Sequence, residues 1–397
     1  MTLSFVTDII ERRGDTIRQS FGNKLICFDE INGKRFQKFI SAIHNEPEIK
    51  KLISRDFIDS KAWKWLFKTK SECKAENSFC SYMLSEMESS IVTSKFHFPI
   101  VYLTLQVPFK IGKVEFGYFT SEYFDGYIQG FSEHQPDKEN PYVGMRKSYK
   151  GLVYAAATVS AEKKKTEEMA LEICSLSLDM LKICSNTLDY PFVKMDFDID
   201  RRSNYNPQSE VIVESVDQIK GLTTNLRRPA HPYLLDDFQF EYIKKRKLDV
   251  LHNFILKLGN DESELEKLII KGIERFAKAL SNANYYQRIA ELFTILESLL
   301  LLSEDSPIID TVCRYASKLI TGDKEIRKRI IQLLKDMYKV RSGWVHHAKE
   351  KEFQTSDLTS LQKIVHDLLI ALINKAKTHK VKQTLLEEID DAILGAY

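Results

Sequence analysis

The chain has 397 residues, in which 58 lysines and arginines nearly balance 56 aspartates and glutamates, for a formal net charge of +2. Hydrophobic residues make up 43% and charged residues 29%, as in ordinary globular proteins, so the chain can bury hydrophobic cores and need not be disordered. The charge balance excludes a uniformly basic surface, so a nucleic-acid partner must be held by a local cluster.

The six cysteines are scattered and form no C-x-x-C pair, which predicts reduced thiols and a cytoplasmic protein. The N-terminal stretch "MTLSFVTDIIERRGD" has no apolar run of signal-peptide length. No window of the sequence reaches the length of a membrane span. We therefore expect neither secretion nor membrane insertion.

Alternating apolar and polar residues predict strands in the first half of the chain. The pattern runs from Val101 to Val107 and again from Val114 to Tyr118, with a hairpin turn near Gly112 between them. A third run, "GLVYAAATVS", leads at Ser160 into a long helix, and "FVKMDFDID" and "SEVIVES" are further strand candidates. Together these segments predict a sheet covered by a helix.

The segment "TTNLRRPAHPY" carries two prolines and few apolar positions, which is typical of a linker. After it, strand-like alternation stops and helical spacing takes over. We therefore predict an α+β domain over residues 1–235 and an all-α helical bundle over residues 236–397.

Apolar residues spaced three and four apart predict the helices of this bundle. Asp261 and Glu264 have capping-box spacing ahead of the first helix. The remaining helices are predicted over 289–299, 309–319, from Asp323 into the segment "YKVRSGWVHH", and over 358–372. Short connections between amphipathic helices are typical of a bundle.

The segment "YKVRSGWVHH" places Arg341 and His346 close together in an apolar and aromatic stretch. On a regular helix, residues five apart differ by about 140° around the axis, whereas Tyr338 and Arg341 share nearly one face. Gly343 predicts that the helix loosens or ends, which would let His346 turn toward Arg341.

This pair suits phosphodiester cleavage without a metal. A histidine exchanges protons near neutral pH, and an arginine offers a rigid set of donors to phosphoryl oxygens. A symmetric dimer would supply the second histidine that the reaction needs. By spacing alone, however, the pair is explained more simply as solvated or structural in a chain with 58 basic residues.

Residues 260–378 resemble a HEPN domain of the abortive-infection type. The resemblance rests on the leucine-rich "RIAELFTILESLLL" and on "DMYKVRSGWVHH". It implies a homodimeric, metal-independent endoribonuclease of a bacterial antiphage or toxin system, with no cofactor. Arg341 and His346 would be catalytic, with Ser342 as the polar residue after the arginine and Glu297 as the acidic residue of the early helix. Glu297 would brace the arginine or simply cap a turn.

The resemblance leaves alternatives open. His347 also fits the arginine–histidine spacing of the family, so it would share or replace the role of His346, and Tyr338 would support the site. The resemblance further implies a regulatory or sensing role for residues 1–235. The implied partners are RNA, a second copy of the chain, and a phage-derived trigger or inhibitory partner at the N-terminal domain. Some HEPN domains are instead non-catalytic dimerisation or nucleotide-binding modules, and this is the competing interpretation.

Other charged clusters are better explained as structural. Asp196, Asp198 and Asp200 share one face of a possible strand and would suit Mg²⁺, but a solvated strand edge explains them more simply. The run Lys163–Lys165 and the basic "EIRKRI" with Lys335 are either RNA contacts or plain polar faces. Cysteine spacing matches no standard zinc site, so no metal is predicted.

Overall fold

The computed structural model describes residues 17–21, 24–28, 30–71, 78–134, 139–193, 195–200, 208–214, 220–226, 233–257, 262–302 and 308–395. Within these ranges the protein is mostly helical, with an antiparallel sheet in the first half and a long series of helices in the second. The predicted order, α+β followed by all-helical, is confirmed at this level.

The strands are β1 (Ile17–Phe21), β2 (Lys24–Phe28), β3 (Ile91–Val101), β4 (Leu103–Leu105), β5 (Phe109–Ile111), β6 (Val114–Tyr118), β7 (Val153–Glu162), β8 (Asp198–Ile199), β9 (Gln208–Glu214), β10 (Lys220–Leu226) and β11 (Tyr233–Leu235). The helices of the first half are α1 (Glu30–His44), α2 (Pro47–Leu52), α3 (Arg55–Ser71), α4 (Phe79–Ser90), α5 (Ser121–His134), α6 (Pro141–Tyr149) and α7 (Lys163–Cys184). Those of the second half are α8 (Asp237–Lys245), α9 (Leu248–Lys257), α10 (Glu264–Leu280), α11 (Tyr285–Leu300), α12 (Ile308–Ile320), α13 (Lys324–His347), α14 (Thr355–Lys375) and α15 (Lys382–Leu394).

The main sheet has five strands in the order β5-β6-β7-β3-β8. The predicted hairpin is present between β5 and β6, whose antiparallel register pairs Phe109 with Phe116. Gly112 forms the turn with a φ of 58°, a conformation that glycine adopts without steric cost. The long helix predicted after the third alternating run is also confirmed, as α7.

The strand predicted from Val101 to Val107 is wrong as a single element. The strand β3 ends at Val101, and Tyr102 has a φ of 60°, which turns the chain out of the main sheet. The next strand, β4, pairs in parallel with β11. Leu103 and Leu105 are buried, so the alternation of the sequence persists although the pairing partner changes.

Two other strand predictions had different outcomes. The segment "SEVIVES" largely coincides with β9, whereas among the described residues of "FVKMDFDID" the strand is limited to Asp198 and Ile199. Residues 223–226 of the predicted linker belong to β10, and Tyr233 begins β11. Residues 227–232 lie outside the described part of the chain.

The helices predicted for the second half are confirmed as α10 to α14, and α8, α9 and α15 were not predicted. The predicted capping box is misplaced, because α10 begins at Glu264 and its capping box joins Ser263 to Glu266. The Ser263 hydroxyl accepts from the Glu266 backbone N–H (3.3 Å), and the Glu266 carboxylate accepts from the Ser263 backbone N–H (2.8 Å). Asp261 lies outside the described residues.

The chain divides into two compact units, one comprising residues 1–96 and 157–172 and the other residues 97–156 and 173–397. The first unit has a core between α1, α3 and α4. This core contains the aromatic pair Phe36 and Trp63, whose rings lie 4.9 Å apart. The domain boundary near residue 235 stays a prediction.

The second unit contains the helical bundle and the candidate site. Its core is built from leucine and isoleucine side chains of α10, α11 and α14, with α13 packed against α11, α12 and α14. In the described ranges, no helix combines the length and apolar character needed to span a bilayer.

Candidate functional site

Helix α13 carries the arginine and both histidines of the sequence motif. It starts at an Asp323 cap, whose carboxylate accepts from the Ile326 backbone N–H (2.8 Å), and continues without interruption to His347. The expectation that the helix loosens at Gly343 is therefore wrong. Arg341 and His346 keep the angular separation of about 140° that five residues of regular helix impose.

Gly343 serves packing rather than helix termination. A Cβ atom at this position would lie 3.0 Å from Cε and 3.2 Å from Cδ of Lys351, in the segment that follows the helix. The glycine thus leaves room for the stem of Lys351 to cross α13.

Arg341 lies at the seam between α11 and α13. Its guanidinium carbon is 5.4 Å from the centre of the Tyr338 ring, and Tyr338 contacts Phe293 of α11 edge-on at 5.3 Å. Glu297, one turn further along α11 than Phe293, places a carboxylate oxygen 3.6 Å from an Arg341 nitrogen. The structure therefore brings two residues of the predicted site, Glu297 and Tyr338, into contact with Arg341.

The ion pair between Arg341 and Glu297 is loosely made. The side chains are 16% and 20% exposed, and the separation of 3.6 Å is longer than a good hydrogen bond. Arg341 Nε and Glu297 Oε1 are buried, and neither has a hydrogen-bond partner among the described residues. Burial raises the pKa of Glu297, and the charge of Arg341 opposes that rise.

His346 and His347 are exposed in the last turn of α13, with ring centres 6.4 Å apart. Within the described ranges, no hydrogen bond or ion pair joins either ring to Arg341. Ser342 is half-buried and lies about 100° around the helix from Arg341. One chain therefore presents an arginine on one face of α13 and two histidines on another.

A buried polar network beside this seam was missed by the sequence analysis. Arg288 is fully buried in α11. It donates to the carbonyl of Pro191 (2.8 Å), to Gln362 Oε1 (3.1 Å) and to the carbonyl of Asn282 (3.1 Å from Nε). Gln362 Nε2 in turn donates to the carbonyl of Thr187 (3.0 Å). The network holds the segment after α7 against the bundle.

The position of Arg288 in the sequence could have indicated that it is buried. It lies four residues before Leu292, in phase with the buried stripe of α11. Likewise, Gln362 lies in phase with Leu358 and Val365 in α14. A polar residue inside an apolar stripe predicts a buried polar group with partners.

The remaining basic candidates are largely paired. Lys328 pairs with Glu325 and Lys335 with Asp310, each at 2.8 Å, which favours a plain polar face for "EIRKRI". In the first unit, Lys164 pairs with Asp56, and the Glu162 carboxylate accepts from the first backbone N–H groups of α7.

The aspartates of "DFDID" do not form a separate cluster. Asp198 pairs with the buried Lys182 (2.9 Å), whereas Asp200 is exposed. Of the cysteine pair Cys73 and Cys80, whose spacing matches no standard zinc site, Cys73 lies outside the described residues. Within the described ranges, no group of three or more His, Cys, Asp or Glu side chains is placed to hold a metal ion.

Comparison with known proteins gave no family model, no curated protein and no solved structure that matches the chain.

Proposed function

We propose that the chain is a metal-independent endoribonuclease of the HEPN type, acting as a homodimer in a bacterial antiphage or toxin system. The observation that carries the proposal is the arrangement along α13. Arg341 lies at a seam with Glu297 and Tyr338, and His346 and His347 are exposed at the end of the same helix. The sequence resemblance supplies the reaction.

The histidine would act as the proton carrier. It takes the proton of the ribose 2'-hydroxyl as that oxygen attacks the adjacent phosphorus, and the bond to the 5'-oxygen breaks. Protonation of the departing oxygen by a second imidazole yields a 2',3'-cyclic phosphate and a 5'-hydroxyl. Arginine donors stabilise the charge that accumulates on the phosphoryl oxygens in between.

A second copy of the chain completes this site. In one copy Arg341 and His346 lie on faces about 140° apart, so they do not converge on one phosphate. A twofold axis beside α13 brings the arginine of each copy toward the histidine of the other and also supplies the second proton carrier. The site is thus composite.

Glu297 fits the role of a positioning residue for Arg341. Its carboxylate and the Tyr338 ring hold the guanidinium in place, but the ion pair is long and leaves Arg341 Nε without a hydrogen bond among the described residues. A phosphate offers shorter, charge-assisted hydrogen bonds to such a group.

One observation favours a second candidate function. Arg341 already contacts Glu297 and Tyr338 within its own chain. The bundle would then serve as a non-catalytic dimerisation or nucleotide-binding module instead of a nuclease. In that case the histidines are ordinary exposed residues at a helix end.

The test compares purified wild type with Arg341→Ala, His346→Ala and His347→Ala on single-stranded and structured RNA in the presence of a chelator. We expect Arg341→Ala and His346→Ala to lose cleavage by a factor of at least about 100, the usual range for removing a proton carrier or an oxyanion donor. The His347→Ala variant shows which histidine carries the reaction.

Arg329→Ala is the matched control, because it removes an exposed arginine from the same helix. All variants should keep the same sedimentation behaviour. Cleavage that persists in Arg341→Ala and in both histidine variants, or that requires a metal, contradicts the proposal. Absence of cleavage by wild type, together with ligand binding in calorimetry with ATP and related nucleotides, favours the second candidate.

A further inference from the structure

The segment after α13, residues 348–354, turns back across the helix and is fixed at several points. Ala348 has a left-handed φ of 49°, and the Lys349 N–H donates to the carbonyl of Gly343 (3.1 Å). The Tyr286 hydroxyl of α11 donates to the carbonyl of Lys351 (3.1 Å), and Phe353 packs edge-on against the Tyr286 ring. We call residues 348–354 the return segment.

The return segment places Lys351 over the histidine face of α13. Gly343 lies three and four residues before His346 and His347, so the three positions share one helix face. Because the last carbons of the Lys351 side chain lie against Gly343, its ammonium group is carried onto this face. Any larger residue than glycine would displace that stem.

Among the described residues, the cations near this face differ in how far they are neutralised. One turn earlier on α13, Lys339 is neutralised by Asp336 (2.8 Å). Arg341 faces Glu297 on another side of the helix. Lys351 is exposed and has no ion pair with a described residue.

The composition of the return segment does not by itself create a basic surface. Glu350 and Glu352 alternate with Lys349 and Lys351, so their charges cancel. The position of Lys351 beside the histidines is what matters. Lys351 lies against Gly343 with its side chain, whereas Lys349 contacts Gly343 through its backbone.

We propose that Lys351 binds an RNA phosphate beside His346 and His347, as a substrate-binding residue contributed by the same copy of the chain as the histidines. A lysine ammonium binds phosphate as a compact point charge and needs no rigid bidentate geometry. The inference rests on the proposed endoribonuclease function and adds the contact that holds the substrate next to the proton carrier.

The experiment uses the full chain and two RNA probes of the same sequence. A fully 2'-O-methylated oligonucleotide lacks the attacking hydroxyl and reports binding, and the unmodified oligonucleotide reports cleavage. Lys351→Met keeps the aliphatic stem over Gly343 and removes the charge. Lys349→Met is the matched control, since it removes an exposed lysine two residues earlier in the return segment.

We expect Lys351→Met to weaken binding of the methylated RNA about 10-fold, which corresponds to the loss of one charge-assisted phosphate contact. The slope of log affinity against log salt should become shallower by about 0.7, the value for one phosphate contact on a single strand. Gly343→Ala should weaken binding with the charge retained, because its Cβ displaces the lysine stem. Lys349→Met should change neither quantity.

Two outcomes separate this inference from the proposed function. Equal binding and cleavage by Lys351→Met and Lys349→Met, with cleavage lost in His346→Ala, overturns the role of Lys351 and leaves the nuclease proposal intact. In the second outcome, binding of methylated RNA depends on Lys351, but wild type does not cleave unmodified RNA. This result supports the phosphate contact and contradicts the proposed nuclease activity. A wild type that binds neither probe overturns both.

Discussion

At the scale of single residues, two arginines of the bundle differ in how firmly their side chains are held. Arg288 is held by several hydrogen bonds, and Arg341 is held by fewer and weaker contacts. Arg288 has hydrogen bonds to several carbonyl oxygens and is fully buried. Arg341 has one long ion pair and an aromatic contact. The difference is the physical basis for assigning stability to the first and substrate contact to the second.

Arg288→Ala should lower the free energy of unfolding by about 3 kcal/mol or more, because it leaves the buried carbonyl of Pro191 and the part-buried carbonyl of Asn282 without their donor. Urea unfolding followed by circular dichroism measures this change. Arg275→Ala, on the exposed side of α10, is the control and should change stability by less than about 0.5 kcal/mol. Equal effects of the two substitutions would show that the network does not hold the bundle together.

Glu297 should make stability depend on pH in a defined direction. Desolvation raises its pKa above the ordinary value of 4.5, so the folded state keeps the proton at pH values where the unfolded chain has released it. Stability therefore falls as pH rises from 4.5 through the raised pKa of the folded state.

Glu297→Gln removes the ionisable group. Wild type should therefore lose stability relative to the variant as the pH rises from 4.5 through the raised pKa of Glu297. Unfolding free energies measured between pH 4.5 and neutral pH test the expectation. Glu387→Gln removes an exposed carboxylate of the same bundle and controls for the general change in charge. A difference between wild type and Glu297→Gln that is constant with pH would contradict the assignment.

At the scale of helices and strands, the period of the sequence identified most of the bundle. The predicted helices were confirmed because their apolar residues repeat at the spacing of a helix face. Pairing partners were not predictable in the same way. The alternation of apolar residues continues past Tyr102, but the strand ends there. The alternation shows which side chains are buried and does not show which strand lies alongside.

Capping explains where α10 begins. Ser263→Ala should destabilise the protein by about 1 kcal/mol, because the Glu266 backbone N–H loses its acceptor at the helix start. Thermal unfolding measures the shift. Ser360→Ala is the matched control, since the Ser360 hydroxyl bonds to a carbonyl four residues earlier inside α14 and alanine is a better helix former there. If the Ser263→Ala protein is as stable as wild type, the capping box does not contribute to stability.

At the scale of the whole molecule, the proposed site requires two copies of the chain. The separation of Arg341 and His346 around α13 makes a single copy incomplete. The first unit, residues 1–96 and 157–172, is built around its own core. A toxic ribonuclease needs restraint, and we propose that the N-terminal region supplies it or responds to a phage-derived trigger.

Mixed dimers test the composite site directly. Subunits carrying Arg341→Ala and subunits carrying His346→Ala should each be inactive alone. When combined, they should recover a small but measurable fraction of RNA cleavage. A mixed dimer retains one arginine beside one histidine in the shared cleft and lacks only the second proton carrier, whereas each variant alone lacks all of its arginines or all of its histidines at position 346. Mixing either variant with itself is the control. No recovery in a mixture shown to exchange subunits would contradict a shared site.

The sequence by itself determined the class of fold, the helices of the bundle and the residues of the motif. These properties follow from local spacing, because burial of one helix face leaves a period of three and four in the chain. The family resemblance also singled out Glu297 as the acidic residue of the early helix, without deciding what it contacts.

Only the tertiary structure decided the directions in which the side chains of the motif lie. It kept α13 regular through Gly343, packed Lys351 against that glycine, and set Arg341 against Glu297. The physical reason is that none of these contacts follows from the period of a single helix, because Glu297 belongs to another helix and Lys351 returns to α13 only after the chain has turned. Whether a glycine ends a helix or makes room for a neighbour depends on what packs against it.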